Sequence, residues 1–79
     1  MDNQQLINQK ELSIKECRED IRKKELQIKT IEAKIVNRKL LPSDKQSIAN
    51  CKKEIANYRL KIATLEKEIE RLKNQNNNR

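Results

Sequence analysis

Residues 48–72 read IANCKKEIANYRLKIATLEKEIERL. Ile48, Ile55, Ile62 and Ile69 recur every seventh residue, and Cys51, Tyr58, Leu65 and Leu72 follow each of them by three. This is the a/d pattern of a coiled-coil helix, with Ile at a and a mixed set at d. Upstream the same period returns as Ile7, Ile14, Ile21, Ile28 and Ile35. There the d positions are broken, reading Lys10, Cys17, Lys24, Ile31 and Arg38.

The two isoleucine series are out of phase. Counting on by sevens from Ile35 reaches Pro42 and then Ala49, not Ile48. One continuous coiled-coil strand therefore does not fit, and Pro42 lacks the amide donor that a helix interior needs. Ser43 and Gln46 have the spacing of a capping box with Ser43 as N-cap. The sequence thus predicts helix 1 over about 4–40, a turn at 41–43, helix 2 over about 44–74, and a frayed polar tail at 75–79.

Two long helices joined by a short turn form an antiparallel pair. The expected fold is all-α: one antiparallel two-helix coiled-coil hairpin, with dimerisation into a four-helix bundle as its natural extension. If level residues have numbers totalling 86, Ile35 meets Cys51, Ile31 meets Ile55, Ile21 meets Leu65 and Ile14 meets Leu72. Lys24 then faces Ile62 and Arg38 faces Ile48, their stems covering the seam and their charges reaching water. Glu25 and Lys29 have the favourable i, i+4 order on helix 1.

Composition agrees with a narrow seam and excludes a compact globular core. Of 79 residues 34% are hydrophobic and 39% charged, with no Gly, Trp or Phe. The absence of His removes the commonest general base and metal ligand. Without Gly there is no glycine-rich phosphate loop, and two cysteines cannot supply a four-ligand zinc site. No catalytic residue, metal or cofactor is expected. Cys17 and Cys51 read as small seam residues, too far apart along one hairpin for a disulfide. No apolar run suits a signal peptide or a membrane span, so a cytoplasmic protein with no membrane role is expected.

Two surface features carry the functional expectation. A second apolar stripe follows the b and f positions: Leu12, Leu26, Ala33, Val36 and Leu40 on helix 1, and Ala49, Ala56, Leu60 and Ala63 on helix 2. A two-helix hairpin has no internal use for it, so it is expected to form one weakly apolar face towards a partner or a second copy. Charge is also divided. Residues 22–61 hold twelve Lys or Arg and four Asp or Glu, a balance of +8, whereas the rest of the chain holds seven and eight, a balance of −1. Arg22, Lys23, Lys34, Arg38, Lys39, Lys45, Lys52 and Lys53 in that basic half are candidate contacts for an anion or nucleic acid.

These features predict a small non-enzymatic protein-interaction module, a regulator, adaptor or inhibitor, with an acidic protein partner and a homodimeric state. A nucleic-acid-binding hairpin that contacts phosphates without reading sequence is the alternative. The single aromatic, Tyr58, argues against a stacking platform for single strands. A rod or spacer is the third reading.

Overall fold

In a computed structural model, which describes residues 3–35 and 39–77, the chain is two long helices packed side by side. Helix α1 spans Asn3–Lys34 and helix α2 spans Pro42–Asn77. The molecule is a rod 63 Å long and 16 by 14 Å across. The antiparallel hairpin expected from the isoleucine series is the observed fold.

The helices meet at different boundaries from those read in the sequence. Helix α1 stops at Lys34, and the amide of Ile35 donates to the Glu32 carbonyl at 3.3 Å, an i→i−3 bond that tightens the last turn. Lys34 places a positive charge where the helix leaves its carbonyls unpaired. Residues 39–41 are outside any helix, so the expected turn at 41–43 is not observed; Val36 and Arg38, in the expected extension of helix 1 to residue 40, lie outside the described residues.

Helix α2 begins earlier than expected, and Ser43 is not its cap. Pro42 is its first residue, where a missing amide costs nothing and a fixed φ suits the helix. The Lys45 amide donates to the Leu41 carbonyl at 3.1 Å, and the Leu41 amide donates to Asp44 Oδ2 at 3.1 Å. Asp44 thus reaches back to Leu41 as the third residue of a capping box does, and its charge faces the positive helix end. At the other end α2 continues into the segment expected to fray, as far as Asn77.

Among the described residues, the buried ones all fall on the seam that the heptads define: Ile7, Ile14, Cys17, Ile21, Cys51, Ile55 and Ile69. Ile7, Ile14 and Ile69 form the tightest cluster, with Ile62, Leu65 and Leu72 against it. Cys17 and Cys51 are both free thiols.

The register differs from the expected one by about one helical turn. Lys10 pairs with Glu68 and Lys24 with Glu54, residue numbers that total 78. Arg18 pairs with Glu66 and Glu25 with Arg59, totalling 84. Ile14 accordingly shares a groove with Ile69, Ile31 with Cys51, and Ile35 with Ile48. Because a and d alternate at spacings of three and four, a slide of one turn swaps a–d neighbours for a–a and d–d neighbours. No isoleucine leaves the seam, so heptad phase alone does not choose between the two registers. The early end of α1 does, because it moves the fold-back point towards the N-terminus.

Lys24 therefore meets Glu54 and not Ile62, and Glu25 reaches across to Arg59 and not along its helix to Lys29. No helix among the described residues is long and apolar enough to cross a membrane.

Candidate functional site: a half-closed seam in the basic half

The seam closes unevenly. Helix α1 buries side chains at four seam positions up to Ile21 and at none after it. Ile28, Ile31 and Ile35 are only half-buried, as is Ile48 across from them, although Cys51 and Ile55 of α2 remain buried. Lys24 stands where an apolar residue would have covered Ile28, and its stem leads to a charge that must leave the seam.

Both seam lysines solve this in the same way. Lys10 Nζ reaches Glu68 Oε1 at 3.4 Å, and Lys24 Nζ reaches Glu54 Oε2 at 2.7 Å, two heptads further along each helix. The hydrogen bond that Lys24 donates to the Glu54 carboxylate raises the Lys24 pKa above its ordinary value of 10.5, so its charge is fixed at neutral pH. These pairs lie on one broad face of the hairpin. On the same face the Cys51 thiol donates to Gln27 Oε1 at 3.4 Å.

The opposite face is laced by Arg18–Glu66 at 3.6 Å and Glu25–Arg59 at 3.8 Å. The next members of that series are Glu32 and Lys52. Among the described residues they close no ion pair, and the face opens there into a groove.

Two grooves thus flank the seam near the connection. On the Lys24 face a groove of about 540 Å³ has Leu26, Ile31 and Cys51 as its apolar lining, with Lys23, Gln27, Thr30, Ser47 and Asn50 around them. On the Arg59 face a groove of about 380 Å³ is lined by Ile35, Leu40, Ile48 and Ala49, with Lys45, Lys52 and Glu32 at its rim. A smaller one, also bordered by Glu32, continues it along α1 past Ile28, Lys29 and Glu25.

The expected apolar stripe is placed accordingly. Leu40 and Ala49 come together with Lys45 and Lys52 in one groove, whereas Leu26 joins Lys23 in the other. Leu12, Leu26 and Leu60 are 57%, 64% and 69% exposed, and Ala33, Ala56 and Ala63 are exposed as well. They do not make the single face expected from the sequence. An f residue lies nearly opposite its own seam, so Leu26 on α1 and Leu60 on α2 occupy opposite edges of the hairpin.

The basic residues are on the surface. Arg22, Lys23, Lys34, Lys39, Lys45, Lys52 and Lys53 are all exposed, and Lys10, Arg18, Lys24 and Arg59 supply the cations of the cross-helix pairs described above. Sequence reasoning missed the half-open isoleucines and Leu41, which is 49% exposed beside Pro42. The heptads carry no clear signal for the isoleucines, because Lys10 interrupts the d row beside Ile7 and Ile14, which are buried.

Among the described residues no group of three His, Cys, Asp or Glu is placed to hold a metal ion. Compared with known proteins, the chain matches no family model, no curated protein and no solved structure.

Proposed function

We propose that the hairpin is a small non-enzymatic protein-interaction module, a regulator, adaptor or inhibitor. It acts through its basic turn-proximal half and through the leucines on its outer edges. The observation that carries this reading is the coincidence of two features in one half of the rod. The seam is left half-closed there by Ile28, Ile31, Ile35 and Ile48, and residues 22–61 carry a balance of +8. A half-uncovered apolar floor in a strongly basic half serves contact with another molecule better than it serves the hairpin's own stability.

Self-association through Leu12, Leu26 and Leu60 is the form of this reading to test first. Light scattering on the purified chain, with reductant, gives the solution mass. A mass near twice 9.4 kDa that returns to 9.4 kDa in the Leu26→Lys, Leu60→Lys variant supports it. If wild type and variant share the mass of a monomer and neither captures a protein from cell extract, the chain is a rod and the module reading is wrong.

The exposed Arg22, Lys23, Lys34, Lys45, Lys52 and Lys53 favour a second reading, phosphate contact along RNA or duplex DNA. It requires affinity that falls steeply with salt. The absence of binding at low ionic strength excludes it.

A further inference from the structure

We infer that the groove of Ile35, Leu40, Ile48 and Ala49 takes an acidic amphipathic helix from a different protein. This rests on the reading of the turn-proximal half as a contact surface, and it names the occupant.

The floor is built from seam residues. Ile28, Ile35 and Ile48 occupy the same heptad position as Ile7, Ile14, Ile21, Ile55 and Ile69. The latter five are buried by the partner helix, and the former three are half-buried, as is Ile62 in the closed half. A third helix laid along the Arg59 face would complete for them the burial that the other five already have. The groove runs alongside two helices, and its apolar groups repeat at the seven-residue spacing of Ile28 and Ile35. A guest helix presents side chains at i, i+3, i+4 and i+7 to such a floor. An extended peptide gains little here, because helix backbones offer no free edge for strand addition.

The rim selects the charge of the guest. Lys45 and Lys52 border the groove on α2 and Lys29 borders its continuation on α1, while Glu25 is already held by Arg59. Glu32 is the one remaining carboxylate, and Lys52 does not pair with it. Carboxylates flanking the apolar stripe of the guest would meet these lysines. A second copy of this chain is the wrong occupant, because docking groove to groove would bring two +8 halves together. Nucleic acid is the wrong occupant too, because phosphates have no use for an isoleucine floor.

The test uses the whole chain and two synthetic helical peptides of about three heptads, with Ile and Leu at a and d. One carries Glu at its flanking positions and the other Lys. Binding is read by fluorescence anisotropy to wild type, to Lys45→Glu, Lys52→Glu, and to Leu26→Lys, Leu60→Lys, with circular dichroism showing that each variant is folded. The expected result is binding of the Glu peptide to wild type, weakened about tenfold or more by the Lys45→Glu, Lys52→Glu reversal. The Lys peptide should prefer that reversed variant. Equal binding of the Glu peptide to wild type and the reversed variant overturns the inference. Loss of binding only in Leu26→Lys, Leu60→Lys also overturns it, while leaving the module reading intact. A dimer that forms through Lys45 and Lys52, or displacement of the Glu peptide by duplex RNA in wild type but not in the reversed variant, overturns it in favour of those occupants. No peptide binding by a chain that still dimerises overturns the inference alone; no peptide binding by an inert monomer overturns both.

Discussion

Lys24 occupies a seam position of α1 and places its ammonium 2.7 Å from a carboxylate oxygen of Glu54 on α2. About a quarter of the lysine side chain and nearly half of the glutamate side chain remain exposed. Solvent therefore screens the pair, while the seam loses an apolar residue where Ile28 begins to open. Replacing Lys24 by Leu is expected to raise the melting temperature by several degrees, because added apolar burial outweighs a screened pair. A fall in melting temperature would show that the ion pair dominates. The sign of the pH effect follows from the raised pKa: stability from the pair is complete below 10.5 and is lost as pH rises through the higher folded value. Wild type should therefore lose more stability than Lys24→Met between pH 9 and pH 12, a range chosen to span about one unit or more on each side of the ordinary lysine value. Thermal melts across that range measure the difference.

The start of α2 provides a sharp contrast between neighbours. Asp44 accepts the Leu41 amide, and Ser43 lies inside the first turn. Asp44→Ala should destabilise the hairpin by about 1 kcal/mol, as loss of a cap does, and Ser43→Ala should change it by less than about 0.5 kcal/mol. Urea titrations of the two variants decide the point. The opposite ranking would restore Ser43 as the cap.

The register is testable through Lys10 and Glu68, which stand 3.4 Å apart. Had level residues totalled 86, they would lie about eight residues, or roughly 12 Å, out of step. Charge reversal at each site separately should cost a few tenths of a kcal/mol, and the double reversal should recover most of the loss. A coupling energy of zero in this double-mutant cycle would contradict the observed register.

The two thiols report on closure at opposite parts of the seam. Cys17 is packed among the buried residues of α1, whereas Cys51 lines the open groove beside Leu26 and Ile31. A thiol reagent should modify Cys51 faster than Cys17 under native conditions, with both slow compared with the unfolded chain. Mass spectrometry of the digested, partly labelled protein measures the order. Faster labelling of Cys17 would place the opening at the wrong end.

The hairpin and its seam were legible in the sequence because nine isoleucines in two out-of-phase series admit few other arrangements. The register was not, because a seam with alternating spacings of three and four accepts a one-turn slide with every isoleucine still inside. The cap was misread for a local reason. A serine followed three residues later by glutamine mimics a capping box, but Pro42 prefers the first helical position and thereby hands the return bond to Asp44. The basic half was plain from charge counting. The groove within it was not, because it depends on Lys24 leaving the seam and on Glu32 and Lys52 failing to extend the Arg18–Glu66 and Glu25–Arg59 series. Leu26 and Leu60 looked like one face because heptad letters do not show that f positions of paired helices point apart.

The seam is closed around Ile7, Ile14 and Ile21 and half-open around Ile28, Ile35 and Ile48. Native-state hydrogen exchange resolved along the chain by mass spectrometry tests this most directly. Backbone amides of α1 up to Ile21 should be protected well beyond those from Ile28 to Lys34, and those of α2 from Cys51 to Leu72 well beyond those from Lys45 to Ile48. Uniform protection along both helices, or stronger protection next to the connection than at the Ile7 end, would contradict it.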